Sequence, residues 1–221
     1  MTQEIRTIRL WLPMHISRVN CYLIKTDSDF ILIDTGSSNQ RGELEQELEA
    51  AGCRPGNLRV IVITHGDFDH TGNAAYLRQK FGTPIAMHKG DLGMADHGDM
   101  FWNRKSGNVI IRKLAPIFMK FPQADWFTPD VLVEDGLRLS DYGCEGRVLS
   151  IPGHSLGSIG ILTDDGSLFC GDLLDNTDKP RFNTIMDDPT TARASADRLK
   201  ELAVKMVYPG HGAPFALEMI K

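Results

Sequence analysis

The run Thr64-His65-Gly66-Asp67-Phe68-Asp69-His70 lies between Val60–Thr64, which reads as a short apolar strand, and Thr71–Phe81, which reads as a helix with Ala74, Leu77 and Phe81 inward. It sits in a strand-to-helix loop, where the helix N-terminus also favours nearby anionic charge. Three later pieces repeat the pattern of a strand meeting a glycine-marked turn: Pro152-Gly-His154-Ser, Phe169-Cys-Gly-Asp172 and Tyr208-Pro-Gly-His211-Gly. A lone Asp-rich loop is usually a solvated turn, and a lone buried histidine is usually a satisfied core residue. Together, His65, Asp67, Asp69, His70, His154, Asp172 and His211 read as one two-metal site, because several strand ends can aim imidazoles and carboxylates at a common point. That donor set suits zinc, iron or manganese better than copper(I) or an iron–sulfur cluster.

In this order, with Asp34 upstream in Ile31-Leu-Ile-Asp34-Thr-Gly36, the pieces resemble the metallo-β-lactamase superfamily from about Val19 to His211. That family carries His-x-His-x-Asp-His, then Pro-Gly-His-(Ser/Thr)-x-Gly-Ser, a Gly-Asp and a final Gly-His; here His154 to Ser158 read His-Ser-Leu-Gly-Ser. The departure is Asp67, which stands where the family usually has its second histidine. The resemblance implies an α/β fold, a four-layer αββα sandwich, holding two divalent metal ions. It implies that His65, Asp67 and His154 bind one ion and that Asp69, His70 and His211 bind the other. Asp172 would bridge them, and Asp34 would hydrogen-bond and orient the metal loop. Asp69 and Asp172 are the carboxylates expected to act in the catalytic step.

Zinc is the first expectation for the metal, with iron or manganese as alternatives. Asp67 adds a negative charge to the first site, so three carboxylates and a bridging hydroxide would offset the whole formal charge of two divalent ions. A weaker and harder Lewis acid is expected. Flavodiiron oxidoreductases of the superfamily carry a glutamate at this position, and its competence-protein branch carries His-x-Asp-x-Asp-His, so Asp67 alone does not choose between them. Aspartate is also shorter than histidine, which leaves open that Asp67 falls short of the metal.

The balance of 24 Lys plus Arg against 29 Asp plus Glu, net −5 over 221 residues, provides no broad attraction for phosphate backbones, and nucleic acid is not expected as a partner. No run of about 18 apolar residues occurs, and the N-terminus lacks a basic stretch followed by an apolar one. A cytoplasmic protein without membrane attachment is expected. Cys21, Cys53, Cys144 and Cys170 stand singly, which argues against a disulfide framework or a thiolate metal site, and Cys170 is expected to pack in the core. The length fits a single domain spanning residues 1–221.

Apolar runs at Ile5–Leu12, Val19–Thr26 and Phe30–Asp34 predict an antiparallel start, and Ser37 or Ser38 is placed to cap a helix running to Ala51. A strand is expected at Pro84–His88. From about Lys89 to Asp130 the pattern changes to a helical insertion rich in Met and aromatic residues, from Met94, Met100 and Trp102 through Ile110 and Phe118 to Trp126 and Phe127. Strands then recur at Val131–Val133, Arg147–Ile151, Ser158–Thr163, Leu168–Cys170 and Lys205–Tyr208, with a helix at Thr190–Ala203. Two halves of this kind predict two sheets packed face to face with helices outside.

The expected activity is hydrolysis of a small ester, lactone or thioester, with a metal-bridged hydroxide attacking the carbonyl. The insertion is a candidate wall for an apolar acyl pocket; core packing or a homodimer interface would use the same side chains. Only ten residues follow His211, too few for the C-terminal helical domain that binds glutathione in glyoxalase II, which counts against glutathione thioesters. The alternatives are a diiron oxidoreductase of the flavodiiron type needing a separate electron donor, and a noncatalytic metal-binding module. Phosphodiester cleavage uses the same two-metal clamp, but the acidic balance weighs against RNA. His15, His88 and His97 are expected outside the site, and Lys179 and Arg181 are either solvated loop charges or contacts for an anionic substrate group.

Overall fold

Strands β1 (Glu4–Trp11), β2 (Arg18–Lys25) and β3 (Phe30–Ile33) form an antiparallel meander. To β3 are added β4 (Leu58–Val62), β5 (Ile85–His88) and β6 (Val131–Val133), all parallel, giving a six-stranded sheet in the order β1-β2-β3-β4-β5-β6. The computed structural model describes residues 4–102, 104 and 122–220. The second sheet is built from β7 (Gly146–Ser150), β8 (Ile159–Thr163) and β9 (Ser167–Gly171). A small antiparallel ribbon follows, β10 (Leu174–Asp175) with β11 (Arg181–Phe182). The chain then returns through β12 (Met206–Pro209) and β13 (Phe215–Ala216), completing the order β13-β12-β9-β8-β7 with β12 parallel to β9. The described α-helices are α1 (Arg41–Ala50), α2 (Phe68–Thr71), α3 (Ala74–Phe81), α4 (Leu92–His97) and α5 (Pro189–Lys200).

Three separate apolar layers make the four-layer order explicit. Along β2, β3 and β4, Leu23, Leu32 and Ile61 point to one face, where Leu44 and Leu48 of α1 and Leu77 and Phe81 of α3 cover them. Their neighbours Ile24, Ile31, Ile33, Val60 and Val62 point to the other face and meet Val148, Ile159, Ile161 and Phe169 of the second sheet. The far face of that sheet, with Leu149, Leu168, Cys170 and Val207, is covered by Ala192 and Leu199 of α5. Strands buried on both faces need side chains that are apolar at every position, which is why these runs are continuous rather than alternating. All four cysteines are buried, and burial pushes the thiols of Cys53 and Cys170 up to about 12, so Cys170 is a packing residue as its strand pattern implied.

Some elements depart from the sequence reading. The expected helix Thr71–Phe81 is two pieces, α2 and α3, interrupted at Gly72 and Asn73. A Cβ on Gly72 would fall 2.6 Å from the Ser38 amide nitrogen, and the Asn73 side chain donates to the carbonyls of Thr35 and Ser37 instead of facing solvent. Asp69 and His70 therefore lie within a helical turn, not in the loop before it. Neither Ser37 nor Ser38 caps α1, which starts from Gln40 after a short 3-10 turn, Ser38–Gln40. Helix α5 ends at Lys200, before the expected Ala203. In the expected insertion, Ala95 and Phe127 join the outer core of the first sheet, while residues 105–121, Ile110 and Phe118 among them, lie outside the described residues. Among the described residues, no helix is long and apolar enough to cross a membrane.

Phe169 bridges the sheets: its ring is fully buried, 5.0 Å from that of Tyr22 and 4.9 Å from that of Tyr208. Phe169→Ala should lower unfolding free energy by about 3–5 kcal/mol, measured by chemical denaturation; a loss below 1 kcal/mol, roughly the scale of a surface change, would contradict the packing described.

Candidate metal centre

The C-terminal ends of β3, β4, β9 and β12 lie at one end of the sandwich and carry Asp34, the 65–70 segment, Asp172 and His211; the turn after β7 adds His154. Of the seven side chains expected to hold metal, six fall there in two groups of converging ligand atoms, and Asp67 belongs to neither group. Asp69, His70 and His211 form one group whose potential ligand atoms lie within 4.8 Å of one another, and His65, His154 and Asp172 form a second. Asp172 faces both rings of the first group, with Oδ1 3.5 Å from His70 Nε2 and Oδ2 3.4 Å from His211 Nε2. It thus stands between the groups, where a bridging carboxylate is expected. Asp69 Oδ2 is 3.3 Å from His211 Nε2.

Each imidazole is held at Nδ1. His154 Nδ1 lies 2.6 Å from the Ile185 carbonyl and His211 Nδ1 2.7 Å from that of Arg18; a carbonyl only accepts, so both nitrogens carry the proton. His70 Nδ1 is 2.8 Å from Asp34 Oδ2. His65 Nδ1 is 2.9 Å from Thr64 Oγ1, whose own proton is donated to Asp34, so the ring donates there too. All four rings thereby turn Nε2 towards the centre, where it can bind a proton or a metal ion. His65 Nε2, His70 Nε2 and Asp172 Oδ1 are buried with no hydrogen-bond partner among the described residues. Buried polar atoms are nearly always satisfied, so three converging orphans in a nitrogen and oxygen donor set fit divalent ions.

The electrostatics agree. Burial pulls the His70 pKa down, but Asp34, Asp172 and Asp69 outweigh it and raise the value to about 9. His211 is likewise pushed well up against its burial, by Asp172 and Asp69. His65 is instead lowered, by burial and by the neighbouring His70 and His154. A cluster this rich in buried carboxylate attracts cations of either kind, protons or metal.

Asp34 organises the loop as expected. It adopts a left-handed backbone, φ 59°, and accepts from the Thr64 amide at 2.8 Å, Thr64 Oγ1 at 2.7 Å and His70 Nδ1. Close packing does the rest. A Cβ on Gly210 would fall 2.2 Å from Asp172 Oδ1, and one on Gly66 2.6 Å from Met94 Cβ, which places Met94 behind the metal loop.

Several residues escaped the sequence reading. Asp91 is fully buried and accepts from the Gly66 amide, Ser155 Oγ and the Gly157 amide, tying the loop of His65 to that of His154. Asn183 donates to Asp172 Oδ2 at 2.9 Å. Asn20 and Tyr22 of the first sheet both donate to the Pro209 carbonyl, at 2.9 and 2.6 Å, fixing the turn of His211. Arg104 reaches the His65–His154 group: its Nη2 lies 2.6 Å from Asp67 Oδ1 and 3.1 Å from His154 Nε2. Burial opposes the ionisation of Asp67, yet Arg104 and His154 bring its carboxyl well below the ordinary range. Asp67 keeps Oδ2 towards the group, 3.1 Å from His154 Nε2 and 3.7 Å from His65 Nε2. In this structure the added negative charge of Asp67 is thus met by a guanidinium.

The other histidines lie outside the cluster. His15 meets the edge of Trp11, His88 accepts from the Gly90 amide, and His97 stacks on Trp102. Arg181 is paired with Asp175. Replacing Asp34 by Asn removes the anionic partner of His70 while keeping side-chain size. Metal affinity of the Asp69–His70–His211 group should then fall about 10- to 100-fold, measured by competition with a chromophoric chelator; unchanged affinity would show that Asp34 does not orient His70.

Comparison with known proteins gives the same picture. The sequence profile of the metallo-beta-lactamase superfamily matches residues 16–211. The probable metallo-hydrolase YflN of Bacillus subtilis is 26% identical over 217 residues, covering 88% of this chain and 81% of its own. Hydroxyacylglutathione hydrolase GloC of Haemophilus influenzae is 29% identical, covering 91% and 89%. The crystal structure of TTHA1623 in a di-iron-bound form superposes with a TM-score of 0.73 at 27% identity, covering 96% of this chain and 95% of that one. On fold, motif order and the extent of these matches, the chain belongs to the metallo-β-lactamase superfamily, a superfamily of metallo-hydrolases.

Proposed function

We propose that this protein is a dinuclear metal-dependent hydrolase of a small ester, lactone or thioester. The observation that carries the reading is the set of four imidazoles held at Nδ1, with Nε2 atoms converging beside Asp67, Asp69 and Asp172. Two divalent ions in such a centre supply a water of lowered pKa as nucleophile and polarise the substrate oxygen. His65 and His154, with Asp67 at their edge, would hold one ion, and Asp69, His70 and His211 the other, with Asp172 between them.

The remaining work falls to the side chains. Asp69 is the most exposed carboxylate of the centre, its side chain 10% exposed against 8% for Asp172 and 6% for Asp67. It is in position to take the proton of an attacking water and return it to the leaving alkoxide or thiolate. Asn183 donates to Asp172 Oδ2, so that carboxylate stays fixed as charge develops. The loops that hold His154 expose Leu156 and Ile185, at 58% and 59%, giving an apolar rim suited to an acyl substituent rather than to a polyanion. The name of the GloC relative, a hydroxyacylglutathione hydrolase, supports including thioesters in the class, and the di-iron form of TTHA1623 supports iron beside zinc as the ion.

A panel of acyl esters, lactones and thioesters assayed with metal-loaded protein tests the reading. At least one class should be turned over, chelation should abolish the activity and divalent metal should restore it. Asp69→Asn should lower kcat by about 100- to 10,000-fold. A fully metallated protein inactive on every class, or turnover indifferent to Asp69→Asn, would overturn the assignment.

A further inference from the structure

We propose that Arg104 is a resident cation of the first site, competing with a metal ion for His154 and Asp67, so that the two sites fill unequally. The inference rests on the metal-centre reading above. His154 donates through Nδ1 to Ile185, which leaves Nε2 to supply the lone pair of the neutral ring, and that Nε2 lies 3.1 Å from both Arg104 Nη2 and Asp67 Oδ2. A metal ion would use the same lone pair, and a guanidinium cannot yield by losing a proton. The same Nη2 lies 2.6 Å from Asp67 Oδ1. One nitrogen therefore engages two of the three side chains expected to bind the first ion, as a cation placed among them would.

Among the described residues, Arg104 has no side-chain hydrogen bond besides those to Asp67 and His154. Its side chain is 4% exposed, and its Nε is buried without a hydrogen-bond partner among the described residues. A buried, unmatched N–H is costly, so leaving the site would return it to water and recover part of what the two contacts contribute. Displacement by a divalent ion is therefore open to Arg104 in a way it would not be for a fully bonded structural arginine. The Asp69–His70–His211 group is different: among the described residues the side-chain hydrogen bonds and ion pairs of these three are with one another, with Asp172, Asp34 and the Arg18 carbonyl, and none is with Arg104. That group also opens towards solvent, with the His211 side chain 13% exposed against 1% for His65 and His154. The Asp69–His70–His211 site should load first, and the site beside Arg104 only at higher metal concentration.

The experiment is a titration of metal-free protein with Co²⁺, followed by its visible absorption and repeated with a competing chelator, on the wild type, Arg104→Met and Arg104→Lys. Two classes of site are expected in the wild type, with dissociation constants about tenfold or more apart. Arg104→Met should tighten the weaker class by a similar factor and leave the tighter class unchanged, which also shows that the variant is folded. Arg104→Lys, which keeps a positive charge, should preserve the gap. Two equal classes in the wild type would overturn the proposal without any variant. A weaker first site in Arg104→Met would also overturn it, since Arg104 would then be aligning Asp67 for the metal. Cobalt binding at neither site would remove the hydrolase reading as well, whereas equal binding at both would leave that reading standing.

Discussion

The carboxylate of Asp34 is the contact on which the centre depends. It sits at the end of β3 in a left-handed backbone conformation, which costs an ordinary residue about 1 kcal/mol or more. Against that stand hydrogen bonds from the Thr64 amide, Thr64 Oγ1 and His70 Nδ1, each to a charged acceptor and so contributing about 1.5–3 kcal/mol. The balance favours the strained conformation. Its result reaches further than Asp34: Thr64 is locked at the end of β4, its Oγ1 is left to accept from His65, and His70 is turned to face Asp172. Two of the four imidazoles are thus oriented through one buried carboxylate.

The second sheet is brought to the same point by backbone acceptors rather than charge. Asn20 and Tyr22 of β2 reach across to the turn after β12, while the carbonyl of Arg18, at the start of β2, receives His211 Nδ1. Asp91 does the corresponding work between the loops of His65 and His154. Because these ties run between the sheets, packing around Phe169 and the geometry of the site are linked: a shift of one sheet against the other would move His211 and Asp172 relative to His65 and His70. The Asp67–Arg104 pair then sets the charge. The chain places a carboxylate where its superfamily usually has histidine and brings a guanidinium to it.

The sequence displayed its strands because they are buried on both sides, as in Ile31-Leu-Ile33 and Val60-Ile-Val62, so their apolar runs required no knowledge of partners. The seven chemical side chains were legible because each stands beside a glycine or inside one dense motif, and Gly210 shows why: no side chain fits between Asp172 and His70. What stayed hidden depends on distant contacts. Asp91, in Lys89-Gly-Asp, reads as a solvated turn until Gly66, Ser155 and Gly157 are seen around it. Arg104 reads as one surface charge in an apolar insertion. The break between α2 and α3 is made by the backbone of Ser37 and Ser38 pressed on Gly72, and the short strands β10 and β11 pair two residues each, too few to leave a pattern.

The central claim is that the strand ends hold a preorganised centre for divalent ions. Crystals grown with saturating zinc and measured on both sides of its absorption edge test it most directly. Anomalous scattering should appear among Asp69, His70, His211 and Asp172, and with enough metal also beside His65 and His154. Well-diffracting crystals of folded protein with zinc only at surface histidines such as His15, and none at the strand ends, would contradict it.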